Sequence, residues 1–367
     1  MYIDYLHLRF FRNFREETVR FDKEINILFG KNGQGKTNLL ESIYFMSTTK
    51  SHRGVDDVEM IYLNEDFANI DCHVYKSNED SVFNAVIHKK GKSLCIRNLP
   101  IKKISEYVGK INAVLFSPAD MNLFDSSPKE RRKMIDMEFG KMSVMYINQL
   151  NTYNRLLKER NAFLKQGASD ETLLETITEQ MINPQVQIIK KRKLLINQLN
   201  SKIGGLYKQL SDSNEEVSIN YLSMVEFDVD DEVMALRIKE KYESSKERDL
   251  ILKQTNVGIH REDIEFFIDK KMVGSYASQG QKRMIVIALK LALVEIINEY
   301  IGENPILLLD DVLSELDVYR RNKLIEIIPK GIQTIITSTD KEDIMPELLK
   351  RAKVFEIEKG SVINGQR

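Results

Sequence analysis

This sequence has few cysteines and almost no net charge. The 367 residues include two cysteines, Cys72 and Cys95, and carry a formal net charge of −1. Two cysteines are too few for a disulfide framework, so a reducing compartment is indicated and a cytoplasmic location is expected. Because the chain as a whole supplies no positive field, any binding of nucleic acid must come from local basic patches.

Long apolar runs are also missing, since none approaches the length of a transmembrane helix. We therefore expect no membrane partner. The hydrophobic content is 42% and the charged content 30%, which is ordinary for a soluble protein with a substantial core. The length allows two or three domains, or one domain with a large insertion.

Glycine is scarce between residues 128 and 210, where apolar side chains recur at helical spacing. A break at residues 166–169 predicts a turn between two antiparallel helices, each extending roughly 30 Å or more. The flanking segments alternate between strand and helix patterns. We expect an α/β domain formed by residues 1–118 and 251–367, interrupted by a helical domain with a hairpin at residues 119–250. The periodic residues are Tyr146, Leu150, Tyr153, Leu157 and Leu164.

The strongest chemical signal is the stretch FGKNGQGKT at residues 29–37, which fits the phosphate-binding pattern G-x-x-x-x-G-K-[ST]. It lies between a predicted strand, residues 25–29, and a predicted helix, residues 37–46, as the motif requires. Its glycines let several backbone N–H groups face one phosphate, while the lysine adds charge and the threonine hydroxyl can bind Mg²⁺. The alternative is a flexible glycine turn before a helix. The predicted ATP-binding residues are Gly30, Lys31, Asn32, Gly33, Gln34, Gly35, Lys36 and Thr37.

A carboxylate for the metal is expected at the end of the apolar run at residues 306–309. Such a run predicts a buried strand, and Asp310 follows it at the edge where parallel sheets bind ligands. We predict that Asp310 and Thr37 hold Mg²⁺, and that Asp311 orients or deprotonates the attacking water. The alternative for the two aspartates is an acidic cap for the following helix.

The turn Ala277-Ser278-Gln279-Gly280-Gln281 leads directly into a second apolar helix. By itself it could be a capping box, with Ser278 as the N-cap residue and Gln281 three positions later. Its place in the chain, after a phosphate-binding loop and before an Asp-Asp strand, resembles the signature turn of ATP-binding-cassette (ABC) ATPases. The resemblance implies that Ser278, Gly280 and Gln281 reach the γ-phosphate held by a partner subunit in a head-to-tail dimer. Asp317, in the sequence Ser-Glu-Leu-Asp, then matches the dimer-contact loop.

Several further stretches resemble the RecF family of SMC-like ATPases. They are LRFFRNF at residues 8–14, KSHR at 50–53, FSPAD at 116–120, SPKERR at 127–132 and GIHRED at 258–263. Together with the motifs above they span nearly the whole chain. The resemblance implies an ABC-type ATPase head with a mixed sheet, interrupted by a helical domain with an antiparallel hairpin.

Membership of the RecF family would imply a weak, Mg²⁺-dependent and DNA-dependent ATPase that forms a homodimer on ATP. Its expected partners are double-stranded DNA, single-strand/double-strand junctions, RecO and RecR. It would act in single-strand gap repair, replication-fork maintenance and the SOS response by helping RecO and RecR load RecA. Asp-Asp replaces the more common Asp-Glu, and a side chain one methylene shorter suggests slow hydrolysis. The switch position has no histidine, so either Thr339 or Asp340 would contact the γ-phosphate region.

Two other classes of protein fit parts of the pattern. A transporter ATPase would have a short insert with an apolar coupling groove, which the charged hairpin argues against. An SMC clamp would need a long coiled coil and a hinge, for which 367 residues leave no room.

The remaining candidates are basic residues and histidines. The cationic run at residues 190–193 is either a solvated helix face or a contact for DNA phosphates, and the same alternatives apply to Arg131 and Arg132. Arg53 and Arg12 are expected near the nucleotide, with Arg12 on the adenine or ribose side. His52 and His260 are not expected to bind metal, because no Cys or His cluster accompanies them.

Overall fold

The computed structural model describes residues 1–76, 79–168, 170–227, 230–340 and 344–366. The chain divides into two compact units. Unit 1 contains Met1–Met121, Gly205–Asn214 and Gln279–Arg367, and unit 2 contains Asn122–Gly204 and Glu215–Ser278. Among the described residues, every helix is too short or too polar to cross a membrane.

The strands and helices are numbered in chain order. The strands are β1 (Tyr2–Phe11), β2 (Phe14–Arg20), β3 (Ile25–Phe29), β4 (Phe67–Lys76), β5 (Glu79–His88), β6 (Gly91–Ile96), β7 (Leu99–Pro100), β8 (Ala113–Phe116), β9 (Val217–Leu222), β10 (Asp263–Ile268), β11 (Lys271–Met272), β12 (Ile306–Leu309), β13 (Thr334–Ser338), β14 (Lys353–Glu358) and β15 (Ser361–Gln366). The helices are α1 (Lys36–Thr48), α2 (Ile104–Tyr107), α3 (Pro128–Met142), α4 (Val144–Lys165), α5 (Glu171–Ser211), α6 (Asp231–Leu252), α7 (Val273–Tyr276), α8 (Gln279–Ile301), α9 (Val318–Ile327) and α10 (Pro346–Arg351).

Unit 1 is built on two sheets. One is antiparallel, with the strand order β2-β1-β4-β5-β6-β7. The other has the order β15-β14-β3-β13-β12-β8, and its strands from β14 to β8 are parallel while β15 is antiparallel. Parallel strands end at one edge of a sheet, so the loops after β3, β12 and β13 meet there.

Helix α1 is buried over most of its surface, including the side chains of Leu39, Leu40, Ile43 and Phe45. It contacts β4 of the antiparallel sheet and β8 and β13 of the parallel sheet. A helix covered on several sides needs apolar residues around most of its circumference, which its sequence supplies. Its fixed position holds the phosphate-binding motif at its N-terminus.

Unit 2 contains α4 and α5 up to Gly204, two helices separated by residues 166–170. Ser169, part of the predicted break, lies outside the described residues. Unit 2 also contains a three-stranded antiparallel sheet, β11-β10-β9, which the prediction of a helical domain at residues 119–250 did not include. Because β10 pairs with β9, the second unit extends to Ser278, beyond the predicted boundary at residue 250.

The GIHRED stretch at residues 258–263 is largely buried in unit 2, apart from the exposed Arg261. A side chain at Gly258, where φ is 128°, would meet the hydroxyls of Tyr153 at 2.5 Å and Tyr242 at 2.8 Å. The Nδ1 atom of His260 lies 2.6 Å from the Tyr153 hydroxyl, and Glu262 is buried. The stretch therefore connects the helices of unit 2.

Several basic residues of unit 2 are held by acidic side chains or carbonyl groups. Arg192 is buried and donates both to Asp136, at 2.8 and 2.9 Å, and to Glu262, at 2.9 Å. Arg131 forms a two-pronged pair with Asp263, at 2.9 and 2.8 Å. Arg132 is also buried and donates to the carbonyl oxygen of residue 262. Arg132 and Arg192 are therefore not part of a solvated face, because acidic side chains and carbonyls distant in sequence draw them inside. A contact of this region with DNA phosphates stays a prediction.

Candidate functional site

The loop between β3 and α1 has the backbone that its glycines predict. Gly30 adopts φ 155°, and a Cβ there would lie 2.3 Å from the carbonyl oxygen of Ile357. Gly35, the residue before α1, adopts φ 122°, and its Cβ would lie 2.8 Å from Asn13 Nδ2. Only glycine fits both the space and the dihedral angles at these positions. Since α1 begins immediately afterwards, its first N–H groups and its positive dipole end face the loop.

Lys36 is 4% exposed and curls back over this loop. Its Nζ atom donates to the carbonyl oxygens of Gly30, at 2.5 Å, and Lys31, at 3.0 Å. Burial lowers the pKa of the ammonium group, and the carboxylates of Asp311 and Asp310 oppose that shift. The cation is therefore fixed beside the backbone nest and is stabilised electrostatically by two carboxylates.

Asp310, at the carboxyl end of β12, joins the first turn of α1 to the neighbouring strand. Its Oδ1 atom accepts hydrogen bonds from the hydroxyls of Thr37 and Thr337, each at 2.9 Å. The carboxylate is 5% exposed, and burial raises its pKa above the usual value. The prediction missed Thr337, although its place at the end of β13 could have indicated it.

The Thr37 hydroxyl and the Asp310 carboxylate form an oxygen pair suited to Mg²⁺. This ion prefers hard oxygen ligands and usually takes one or two carboxylates, the remainder coming from phosphates and water. Among the residues that the structure describes, no group of three or more His, Cys, Asp or Glu side chains could hold a metal. The donor set matches a metal held jointly with a nucleotide.

Asp311 follows immediately and has an unusual environment. Its backbone is left-handed, with φ 53°, and its N–H donates to the Thr337 hydroxyl at 2.8 Å. Within the described chain, its Oδ1 atom is buried and has no hydrogen-bond partner. A buried carboxylate oxygen without a partner is costly, so this oxygen is available for a polar group such as water.

Arg12 lies beside α1 and is largely neutralised. Its guanidinium donates to both carboxylate oxygens of Glu41, at 2.8 and 2.7 Å, and to the Glu59 carbonyl at 2.7 Å. Glu41 is fully buried and also accepts from Ser51 at 2.5 Å. Burial alone would raise the pKa of Glu41, but the hydrogen bonds from Arg12 and Ser51 and the charge of Arg53 lower it overall. This pair fixes both the predicted nucleotide-side residue Arg12 and the start of the KSHR loop against α1.

The signature turn lies where the two units meet along the chain. Ser278 is the last residue of unit 2, and α8 of unit 1 begins at Gln279. Ser278 and Gly280 are exposed, whereas Gln281 is half-buried in the first turn of α8. An exposed serine and glycine at a helix start are what an intersubunit phosphate contact requires.

The loop after β12 is tied to α8 by Arg283. Its guanidinium pairs with the Glu315 carboxylate at 2.9 Å and donates to the Glu315 carbonyl. Asp317 caps α9 by accepting from the N–H of Arg320 at 2.9 Å, and this bond lowers the pKa of the Asp317 carboxyl. Thr339 is half-buried just after β13, and Asp340 is exposed. Arg283 is a connection that the sequence patterns gave no reason to expect.

The chain is similar to known proteins over nearly its whole length. The sequence model of the RecF/RecN/SMC N terminal domain family matches residues 2–362. DNA replication and repair protein RecF of Bacillus velezensis is 39% identical over 371 residues, covering 99% of this chain and 100% of that protein. The protein of the same name from Bacillus subtilis is 37% identical over 371 residues, with coverage of 99% and 100%.

Solved structures of RecF proteins superpose on this chain over its whole length. The recombination mediator protein RecF-ATPrS in the RecFOR pathway superposes with a TM-score of 0.91 at 31% identity, covering 100% of this chain and 98% of that chain. The corresponding RecF-ATP structure gives a TM-score of 0.92 at 30% identity, with the same coverage. The SmcHead bound to the C-winged helix domain of ScpA gives 0.54 at 16% identity over 99% of this chain and 97% of that chain, which concerns the fold alone. The predicted ATPase head of the ABC and SMC type is confirmed.

Proposed function

Since the chain belongs to the RecF/RecN/SMC family and, within it, to the RecF proteins, we propose that it is a DNA-binding ATPase that dimerises on ATP. Its proposed role is in single-strand gap repair, replication-fork maintenance and the SOS response, where it helps RecO and RecR load RecA on single-stranded DNA. Its proposed location is the cytoplasm. The relatives support this role, because they carry the names of replication, repair and recombination-mediator proteins.

The observation that carries the proposal is the 2.9 Å hydrogen bond between Thr37 and Asp310. The two residues are 273 positions apart, yet the fold places the first turn of α1 against the end of β12. A hydroxyl and a carboxylate beside a phosphate nest form the metal-binding half of a P-loop ATPase.

Each residue of the site then has a role. The N–H groups of the loop from Gly30 to Gly35 bind phosphate, and Lys36 neutralises its charge. Thr37 and Asp310 would hold Mg²⁺. When bound, Mg²⁺-ATP would supply the phosphoanhydride bond that water breaks and a metal charge that stabilises the negative charge developing on the ADP leaving group.

Asp311 would orient or deprotonate the attacking water through its buried oxygen. The Asp311 side chain is one methylene shorter than glutamate, so it reaches less far toward the water. We infer slow turnover, as in a weak DNA-dependent ATPase in which ATP binding is the switch and hydrolysis resets it.

The dimer completes the site in this proposal. Ser278, Gly280 and Gln281 of each subunit act on the nucleotide of the other, and Asp317 and Thr339 contact the same intersubunit region. ATP sandwiched between subunits gains contacts that ADP cannot make, so the nucleotide biases the monomer–dimer equilibrium. DNA, at duplexes and single-strand/double-strand junctions, and the proteins RecR and RecO are the proposed partners.

Analytical ultracentrifugation tests this proposal directly. The protein is sedimented with ATP, ADP or no nucleotide, each with and without a gapped DNA duplex. We expect dimers with ATP only, and larger complexes when the gapped duplex is added. Lys36→Ala is the control that should stay monomeric with ATP, and ATP-independent sedimentation of the wild type would overturn the proposal.

A further inference from the structure

Gln34, in the middle of the phosphate-binding loop, is held from outside by three N–H donors. Its carbonyl oxygen accepts from Asn13 Nδ2 and from the backbone N–H of Gly360, each at 2.9 Å. Its side-chain Oε1 atom accepts from the backbone N–H of Lys359 at 2.7 Å. We call Asn13, Lys359 and Gly360 the P-loop clasp.

Asn13 has almost no freedom to move within the clasp. Its Oδ1 atom accepts from Asn38 Nδ2 on α1 at 2.7 Å. A Cβ on Gly360, where φ is 76°, would lie 2.0 Å from the Asn13 carbonyl oxygen, so the hairpin turn packs directly against Asn13. The asparagine is therefore fixed between the loop, α1 and the turn.

The hairpin of β14 and β15 brings Lys359 and Gly360 to this place. Strand β14 pairs in parallel with β3, and Glu356 lies opposite Phe29, the residue before the loop. Residue 362 of β15 donates its N–H to Glu17 of β2 at 2.9 Å, which anchors the other side of the hairpin. The hairpin thus follows the loop from Gly30 to Gln34, although it is more than 300 residues away in sequence.

The hydrogen bonds to the Gln34 carbonyl also orient the N–H group of Gly35, because a trans peptide unit is planar. The C=O of Gln34 and the N–H of Gly35 belong to one planar unit and point in opposite directions. Two donors turn the Gln34 carbonyl outward, toward the clasp, so the Gly35 N–H points to the inner side of the loop. That is the side on which a phosphate nest needs its donors.

We propose that the P-loop clasp is a positioning device for nucleotide binding, and that Asn13 and the Lys359-Gly360 turn preset the Gly35 N–H for phosphate. The proposal rests on the proposed function of the loop as an ATP site. Because a preset donor avoids reorganisation on binding, the clasp strengthens the binding of both ADP and ATP. It acts through the loop and does not touch the reacting atoms.

The first test compares Asn13→Ala with Asn84→Ala. Asn84 is a matched control, because its Nδ2 also donates two hydrogen bonds, to Asn69 and Asp71, each at 2.7 Å. It lies on β5 of the antiparallel sheet that contains β1 and β2, the strands on either side of Asn13. In the strand order, β5 is remote from the phosphate-binding loop. We expect Asn13→Ala to weaken ADP and ATP binding alike, by roughly five- to tenfold, the effect of one hydrogen bond. Isothermal titration with ATP and with ADP measures both affinities. Dimerisation at saturating ATP should persist.

The second test approaches the clasp from the hairpin. Gly360→Ala places a methyl group against Asn13. Gly331→Ala is the matched control, because Gly331 has nearly the same φ, 80°, but the atom nearest to an added Cβ there is 3.9 Å away. We expect Gly360→Ala to weaken nucleotide binding and Gly331→Ala to leave it unchanged, both measured at a temperature where each variant is folded. In the double variant with Asn13→Ala the two effects should be less than additive, because both act on the Gln34 carbonyl.

The outcomes separate the clasp from the site itself. Equal nucleotide affinity in wild type and Lys36→Ala would overturn the ATP site and the clasp with it. A defect in Lys36→Ala beside wild-type affinity in both Asn13→Ala and Gly360→Ala would overturn the clasp alone. Full additivity of the two clasp variants would also contradict it.

Discussion

Asp311 holds its carboxylate in place through a left-handed backbone and a hydrogen bond from its N–H to Thr337. Asparagine tolerates left-handed dihedral angles at least as well as aspartate. The change Asp311→Asn therefore removes the negative charge while leaving the backbone and the Thr37–Asp310 pair in place.

We predict that Asp311→Asn slows ATP hydrolysis by roughly 100-fold, the usual effect of losing a general base. Nucleotide affinity and the Mg²⁺ requirement should change little, and the ATP-bound dimer should last longer. Single-turnover hydrolysis and sedimentation in ATP measure these effects. Asp310→Asn is the matched control, and it should raise the Mg²⁺ concentration needed for binding. Wild-type turnover in Asp311→Asn would show that the hydrolytic carboxylate lies elsewhere.

His260 is a neutral histidine whose two ring nitrogens are both engaged. Its Nε2 faces the carbonyl oxygen of Thr255 at 3.1 Å and so carries the proton, which makes Nδ1 the acceptor for the Tyr153 hydroxyl. Burial lowers the pKa of His260 to about 4; the hydrogen bond to the Thr255 carbonyl and the charge of Asp249 oppose that shift, while the charges of Arg261 and Arg132 add to it. The folded protein therefore disfavours the protonated ring.

We predict that this histidine makes folding stability fall as the pH decreases from about 6.5 to about 4. In that window the unfolded chain binds a proton that the folded chain does not, and the loss reaches at most about 3 kcal/mol. Urea unfolding across this pH range measures it. His260→Gln keeps a donor and an acceptor but cannot be protonated, so its stability should depend less steeply on pH. An unchanged slope would contradict the assignment.

At the scale of an element, the basic run at residues 190–193 of α5 has one side chain in the interior and another in solvent. Lys190 is exposed and pairs with Asp231 at the surface, whereas Arg192, two residues later, is buried against Asp136 and Glu262. Removing a buried cation leaves its acidic partners uncompensated, but an exposed pair contributes little.

We predict that Arg192→Met destabilises the protein by about 3–5 kcal/mol, whereas Lys190→Met changes stability by less than about 1 kcal/mol. Chemical denaturation gives both values. At a temperature where the variant stays folded, Arg192→Met should bind DNA with the wild-type dependence on salt. Normal stability together with weakened, less salt-dependent DNA binding would instead place Arg192 on a phosphate contact.

At the scale of the whole molecule, the proposed ATPase has two composite sites per dimer. Each consists of a P-loop from one subunit and a signature turn from the other. Ser278 is exposed, so a larger side chain there should leave the fold of the subunit intact. Arginine is too large for the gap at the γ-phosphate and should block closure of the dimer.

We predict that Ser278→Arg retains ATP affinity as a monomer but loses dimerisation, hydrolysis and ATP-dependent retention on DNA together. Mixing it with Lys36→Ala should restore part of the hydrolysis, because the mixed dimer keeps one wild-type P-loop facing one wild-type signature turn. Steady-state hydrolysis of each variant and of the mixture is the measurement. Normal dimerisation and hydrolysis by Ser278→Arg alone would reduce the turn to a helix cap.

The sequence by itself determined the parts of this protein whose geometry is set by neighbouring residues. The phosphate loop, the strand that ends at Asp310 and the helices on either side of residues 166–170 all followed from glycine spacing and apolar periodicity. In each case the residues that predict the conformation lie within a few positions of one another along the chain.

Only the tertiary structure decided which charges are buried and which side chains support the site. Arg192 lies inside because Asp136 and Glu262, 56 and 70 residues away, offset its desolvation. The Thr337 hydroxyl meets Asp310 because β12 and β13 are paired, and Asn13 meets Gly360 because β14 runs beside β3. The free energy of a buried polar group depends on partners that folding brings together, and these contacts have no signature in the local sequence.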